Sequence, residues 1–216
     1  DVAVTGVQTC ALPILGVSTR RDYEGQGFMK LLMNHVLEVY KGKRIYLQAY
    51  HPEIYVPFGF KESHRHILYK LDKAKYALPS RICLSQDISH LYDAYNLYVR
   101  DFSHYLIRDE DYFNNYLRKR CAAFNDSILT FKNEYGQQGY MIYNDKGKFV
   151  YISEFIYSKE YLDDILKTIS VYFYKDIRIE TDCMASIHGE KTDMITMMCN
   201  QEDDIPLEKR YINEIY

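Results

Sequence analysis

Apolar residues recur at three- and four-residue spacing from Phe28 through Leu31, Leu32, Val36 and Val39. That period predicts a helix beginning just after Gly25 and Gly27. Lys41-Gly42-Lys43 ends it, with cations in the last turn and a glycine cap. Ahead of the helix, residues 15–19 read as the end of a strand and residues 20–27 as a polar turn. Behind it, residues 44–49 read as a short strand and residues 51–57 as a short helix with Pro52 in its first turn. Residues 60–71 alternate well enough for a long strand. Strand, helix, strand, helix, strand is an α/β pattern.

Residues 73–80 change composition, and Pro79 punctuates them. Beyond lie predicted helices at 88–102 and 109–121, the second with Asp109, Glu110 and Asp111 near its N-terminus. Residues 127–132, 139–143 and 149–156 read as strands, with Asn144-Asp145-Lys146-Gly147 as a turn. Residues 159–171 read as a helix, and residues 176–181 and 194–199 as strands. This is a second α/β unit, so the expected division is 15–76 and 77–216.

Residues 1–14 stand apart. Val4-Thr5-Gly6-Val7-Gln8-Thr9-Cys10-Ala11-Leu12-Pro13-Ile14 looks like the translation of a widely used sequencing adapter. We read it as a non-native scar and keep it out of the fold reasoning, with native sequence expected from about Leu15. A signal peptide is excluded, since the stretch lacks a basic start and a small-residue cleavage site.

Composition narrows the function classes. The chain has 216 residues, with 27 Lys+Arg against 30 Asp+Glu, so no global basic field exists to hold nucleic acid. The apolar fraction of 47% fits a globular protein, and no apolar run reaches the roughly 18 residues of a membrane span. Cys10, Cys83, Cys121, Cys183 and Cys199 show no paired spacing, which points to reduced cytoplasmic thiols and away from a zinc site or a disulfide framework. Residues 15–76 carry 11 basic and 6 acidic side chains, a balance that suits a polyanionic ligand; residues 77–216 carry 16 and 23.

The chemistry concentrates in the front part. A turn with two glycines that feeds a helix leaves backbone N–H groups without internal partners, which is a natural pyrophosphate cradle. Alone, that is also an ordinary strand-to-helix turn. The stretch Leu15-Gly16-Val17-Ser18-Thr19, then Tyr23-Glu24-Gly25-Gln26-Gly27-Phe28-Met29, then Ile54-Tyr55-Val56-Pro57-Phe58-Gly59-Phe60 carries more. Strand, glycine turn, helix, strand and Tyr-x-x-Phe-Gly-Phe resembles the acetyl-CoA-binding half of the GNAT N-acetyltransferase superfamily. The Ile-Tyr-x-x-Phe-Gly-Phe variant looks like its enhanced-intracellular-survival (Eis-like) type. The bulky end of the cradle is similar to that type. Glu24 departs from the superfamily pattern, which has Arg or Gln there, and Arg20 or Arg21 is the candidate replacement for the lost affinity for phosphate.

The resemblance implies a C-terminal half of a GNAT fold followed by a second, degenerate GNAT-like α/β domain, with three strands and two helices missing ahead of Leu15. It therefore implies a truncated chain with an exposed sheet edge and poor activity. Val17 and Thr19 would offer backbone groups to the pantetheine arm of acetyl-CoA. Gln26, Gly27, Phe28 and Met29 would hold the pyrophosphate through N–H groups. Tyr55 would protonate the leaving thiolate, since a phenol is protonated at neutral pH. The α-carboxylate of Tyr216 would take the proton of the amine. No metal is needed. The second domain is suggested by Leu91-Tyr92-Asp93-Ala94-Tyr95, Ile107-Arg108-Asp109-Glu110-Asp111-Tyr112, Gly139-Tyr140-Met141-Ile142-Tyr143 and Ile152-Ser153-Glu154-Phe155-Ile156. It has no glycine cradle and would shape the acceptor cleft.

The implied partner is a small-molecule primary amine, with neither nucleic acid nor a membrane. The acidic second part is compatible with a cationic amine such as a polyamine or an aminoglycoside. Relatives of this type suggest a homo-oligomer. The rival is a non-catalytic acyl-CoA-binding or scaffolding module. His64-x-His66 has metal-ligand spacing but no third ligand nearby, and Gly189-Glu190-Lys191-Thr192 echoes a P-loop without its first glycine or its helix.

Overall fold

The structure, a computed structural model, describes residues 12–14, 17–49, 51–182, 184–201 and 206–211. Strand β1 (Leu12–Ile14) opens the described chain, followed by α1 (Phe28–Val39), β2 (Ile45–Ala49) and β3 (Lys61–Leu71). Then come β4 (Cys83–Ser85), α2 (Leu91–Val99), β5 (His104–Tyr105), a π-helical turn at Tyr112–Tyr116 and α3 (Leu117–Phe124). Strands β6 (Ser127–Asn133), β7 (Gly136–Asp145) and β8 (Phe149–Tyr157) follow, then α4 (Leu162–Tyr172), β9 (Asp176–Thr181), β10 (Gly189–Cys199) and β11 (Arg210–Tyr211).

One nine-stranded sheet runs through the described residues in the order β1-β2-β10-β3-β9-β8-β7-β6-β4. Its strands pair antiparallel except β1 with β2 and β8 with β9. Each parallel pair is joined through a helix, α1 in front and α4 behind, as a parallel connection requires. The main core lies between the rear strands and helices α2, α3 and α4, around Leu117, Phe131, Tyr140, Phe155 and Ile169. A smaller core sits under α1, around Met33, Ile45, Leu47, Phe60 and Met198.

The sheet crosses the expected boundary at residue 76. Strand β10, from the far part of the chain, lies between β2 and β3 of the front part, with Met198 opposite both Leu47 and Glu62. The front layer is therefore completed by residues more than a hundred positions away. A second sheet pairs β11 in parallel with β5.

Several local expectations change. Residues 17–20 have no regular structure, residues 15 and 16 of the strand expected at 15–19 lie outside the described residues, and a short strand lies earlier, at Leu12–Ile14, within the stretch set apart as a scar. Leu12 to Ile14 pair one to one with Ile45 to Leu47. The short helix expected at 51–57 is two 3-10 turns, Pro52–Ile54 and Val56–Phe58, each with a proline at its start. No helix among the described residues is long and apolar enough to cross a membrane.

Candidate functional site

The turn ahead of α1 is built from the inside. Tyr23 N–H donates to Arg20 O at 2.8 Å and Glu24 N–H to Arg21 O at 3.2 Å. The Gln26 side-chain amide donates to Asp22 O at 3.1 Å and closes the loop. Gly25 and Gly27 sit at φ +73° and +79°, left-handed backbone that a side chain would strain. Gly27 is the N-cap of α1, and no side chain caps that end. Among the described residues, the N–H groups of Gly25, Gln26, Gly27, Phe28, Met29 and Lys30 find no acceptor. Such a row of donors at a helix start attracts an anion.

A cleft of about 450 Å³ lies beside this turn, lined by Val17, Ser18, Thr19, Arg20, Tyr23, Phe28, Met29 and Leu32. The rings of Tyr23 and Phe28 meet edge to face at 5.8 Å, and the Arg20 guanidinium lies 4.9 Å from the Tyr23 ring centre. Arg20 pairs with Asp22 at 2.9 Å, but both are exposed and the pair is weak. Arg21 and Glu24 are exposed, and neither makes an ion pair among the described residues.

Beneath the turn, Met29, Val36 and Leu37 pack with Met33 onto Ile45, Leu47, Ala49, Phe60 and Met198. Tyr55 and Phe58 join the same cluster, so Tyr55 lies on the sheet face that carries α1. Its ring is half-buried and meets Phe60 edge to face at 6.2 Å. Among the described residues its hydroxyl makes no hydrogen bond.

The opposite face is polar and closed. Tyr46 and His104 Nε2 share a 2.6 Å hydrogen bond, and burial pushes the Tyr46 phenol up to about 12 despite the pull of Arg44. The segment ending in β11 crosses this face. Arg210 donates to Ser63 Oγ at 3.2 Å, and the Tyr211 ring stacks on His66 at 6.3 Å.

Four of the residues expected to hold acetyl-CoA, Val17, Thr19, Phe28 and Met29, line one cleft, and Gln26 and Gly27 form the turn beside it. Val17 and Thr19 do so from irregular backbone rather than from a strand edge. Tyr216 lies outside the described residues. Sequence reasoning missed Tyr23, Leu32 and Met198. Tyr23 carried a usable signal, an aromatic ring in an otherwise polar turn; Met198 carried none, because its role depends on a distant pairing. His64 and His66 share a face with rings 5.1 Å apart, yet no cluster of His, Cys, Asp and Glu among the described residues could hold a metal.

A family model described as an acetyltransferase (GNAT) domain matches residues 1–63. No curated protein matches the chain. A GCN5-related N-acetyltransferase from Kribbella flavida superposes with a TM-score of 0.62 at 16% identity, over 87% of this chain and 51% of its own. Eis1 from Mycobacterium abscessus gives 0.57 at 12% identity, over 86% and 55%. A tandem GNAT protein from the clavulanic acid biosynthesis pathway gives 0.57 at 10% identity, over 91% and 77%.

The chain has a GNAT-type fold. It spans about half the length of the first two of these structures, and at such identities the likeness shows the fold alone. Within that fold the rear half repeats the front: a strand, a turn, a helix and a parallel strand recur as β8, α4 and β9. The rear turn, residues 158–161, has no glycine, and α4 begins with Asp163 and Asp164. Carboxylates at a helix start repel phosphate, so the rear GNAT-like domain offers no second cradle.

Proposed function

We propose that this chain is the acetyl-CoA-binding part of an N-acetyltransferase of the enhanced-intracellular-survival type, moving an acetyl group to a primary amine of a small molecule. One observation carries the reading: six N–H groups with no acceptor among the described residues, on a glycine turn beside a 450 Å³ cleft, with Tyr55 packed under the same helix. The match over residues 1–63 and the fold agree with acyl transfer in general.

The residues fit the co-substrate. A Cβ at Gly25 or Gly27 would meet nothing within 4 Å, so the turn is open on its outer side. Gln26, Gly27, Phe28 and Met29 would hold the pyrophosphate through N–H groups, and Val17 and Thr19 would lie along the pantetheine arm. Arg21 offsets the adverse charge of Glu24. Acetyl-CoA supplies an activated acyl group on a leaving thiolate. Tyr55, with a hydroxyl not engaged elsewhere among the described residues, would give its proton to the sulfur. The chain's terminal carboxylate at Tyr216 is the proposed base for the amine.

Isothermal titration with acetyl-CoA, followed by thiol-release assays with polyamines and aminoglycosides, tests the reading. Saturable binding and amine-dependent release are expected. Binding without amine-dependent release would make the chain an acyl-CoA-binding module, and silence in the titration removes both readings.

A further inference from the structure

Helix α1 carries two apolar stripes, and the fold buries one of them. Met29, Met33, Val36 and Leu37 pack onto the sheet. Phe28, Leu31, Leu32, His35 and Val39 recur at three- and four-residue spacing and lie about 120° round the helix from that stripe, at about 100° per residue. In the single chain this second stripe is open: Leu31 is 64% exposed, Val39 57%, Leu32 52% and Phe28 47%. Tyr23, half exposed, extends the patch by meeting the Phe28 ring edge to face. A helix with one core face shows polar residues over the rest of its surface. On α1 those residues, Lys30, Asn34 and Glu38, occupy only a third side.

The open stripe looks past the edge of the sheet. Phe28 and Leu32 turn toward residues 17–20, which lead away from β1, and β1 ends the strand order with β2 as its one partner among the described residues. A strand added to that edge is one way to cover the region, but β1 contains Pro13, and a proline blunts an edge against a new partner. The surface left for an occupant is a helix side, apolar along its middle and polar along one flank. Its size and charge fit a second copy of the same helix. Taking roughly 150–200 Å² for a free side chain of this kind, six at about half exposure offer on the order of 500 Å² per chain, and two chains together reach the ~1,000 Å² that a specific contact needs. The stripe holds no carboxylate, lysine or arginine, so it asks for no oppositely charged partner. Under a two-fold axis it is its own complement, with the ridges of one helix entering the grooves of the other.

We propose that two copies of this chain associate α1 on α1, through Leu31, His35 and Val39, with Phe28 and Leu32 on the cleft side of the contact. The assembly is a closed two-fold dimer. Its affinity is micromolar in order, because the area lies at the low end for specific interfaces. The inference stands apart from the acetyltransferase reading: Leu31 and Val39 line neither the cleft nor the row of free N–H groups at Gly25 to Lys30.

Sedimentation equilibrium of the full chain over a range of concentrations is the test. The expected mass rises reversibly from 25.7 kDa to twice that value, with a Kd of about 1–10 µM. Leu31→Glu and Val39→Glu place a charge where the single chain is open to solvent, so the fold tolerates them. Each is expected to weaken association by about tenfold or more, since a charge is then desolvated at the centre of the contact. Leu97→Glu on α2 and Val171→Glu on α4, at side chains just as exposed, are expected to leave association unchanged. A parent that stays at 25.7 kDa throughout overturns the proposal. So does a dimer that Leu31→Glu and Val39→Glu leave intact, or one that Leu97→Glu weakens as much as they do. Species heavier than a dimer overturn it as well, because an isologous contact closes at two copies.

Discussion

Met198 of β10 stands directly across from Leu47 of β2, and both are buried against α1. The candidate cofactor half thus owes part of its core to the far part of the chain. Truncating Met198 to Ala removes a thioether from a packed layer, and the cavity cost for such a change is about 2–5 kcal/mol. Met198→Ala is expected to lower the urea midpoint and, by loosening the packing under α1, to weaken acetyl-CoA binding. An unchanged midpoint would mean that β10 is not part of this layer in solution.

Sequence and structure agree where the determinants are local. The helix read from Phe28 to Val39 appears with those bounds, because its apolar period, the glycine before it and Lys41-Gly42-Lys43 after it all act within a few residues. The strand read at 60–71 starts one residue late, and the one read at 44–49 likewise. The insertion of β10 between β2 and β3 was not legible, because no local pattern names a strand's partner. The strand read at 194–199 begins earlier, at Gly189; a Cβ there would come within 2.4 Å of Lys70 O, so the glycine answers to tertiary approach. The cleft was legible through the glycine turn beside it. The buried contact of His66 with Glu180 was not, since the two meet only through the pairing of β3 with β9.

Gly27 separates ligand binding from stability. At φ +79°, a side chain costs about 1–2 kcal/mol, and relaxation of that strain would turn the N–H groups of the cradle. Gly27→Ala is expected to lower the melting temperature by a few degrees and to weaken acetyl-CoA binding by at least tenfold, a larger effect than the stability loss produces alone. Calorimetric titration beside a thermal melt reads both. Full affinity in a folded Gly27→Ala protein would place the anion elsewhere.

Tyr55→Phe keeps the ring that packs on Phe60 and removes only the hydroxyl. The fold and acetyl-CoA affinity are expected to hold, while the acetylation rate falls by roughly 10²-fold, the usual contribution of a positioned general acid. A variant as fast as its parent would take Tyr55 out of the chemistry.

Tyr46 gives a stability prediction with a definite sign. Burial, the largest cause, lifts its folded value to about 12, above the roughly 10 of an unfolded chain. A group raised in this way contributes stability that is whole below the unfolded value and is lost as pH rises through the folded one. Between about pH 10 and 12 the parent should therefore lose stability faster than Tyr46→Phe. Denaturant midpoints at pH 8, 10 and 11.5 check it, and parallel curves for the two proteins would contradict it.

Arg108 supplies the last prediction. Its Nη1 donates to both oxygens of Glu154, at 2.9 and 3.0 Å, inside the rear core. The rings of Tyr95 and Tyr112 lie 4.6 and 4.8 Å from the guanidinium, and the Tyr140 hydroxyl donates to the same carboxylate. Burial and the charge of Glu154 hold the Tyr140 phenol well above its ordinary value, so it stays a donor. Breaking a buried pair leaves one charge uncompensated, which costs about 3–5 kcal/mol. Removing both charges together avoids that penalty. Glu154→Leu alone should therefore be more destabilising than the double variant Arg108→Met with Glu154→Leu, measured by urea denaturation. If the double variant is as unstable as the sum of the singles, the pair with its tyrosine cage is a net source of stability rather than a compensated burial.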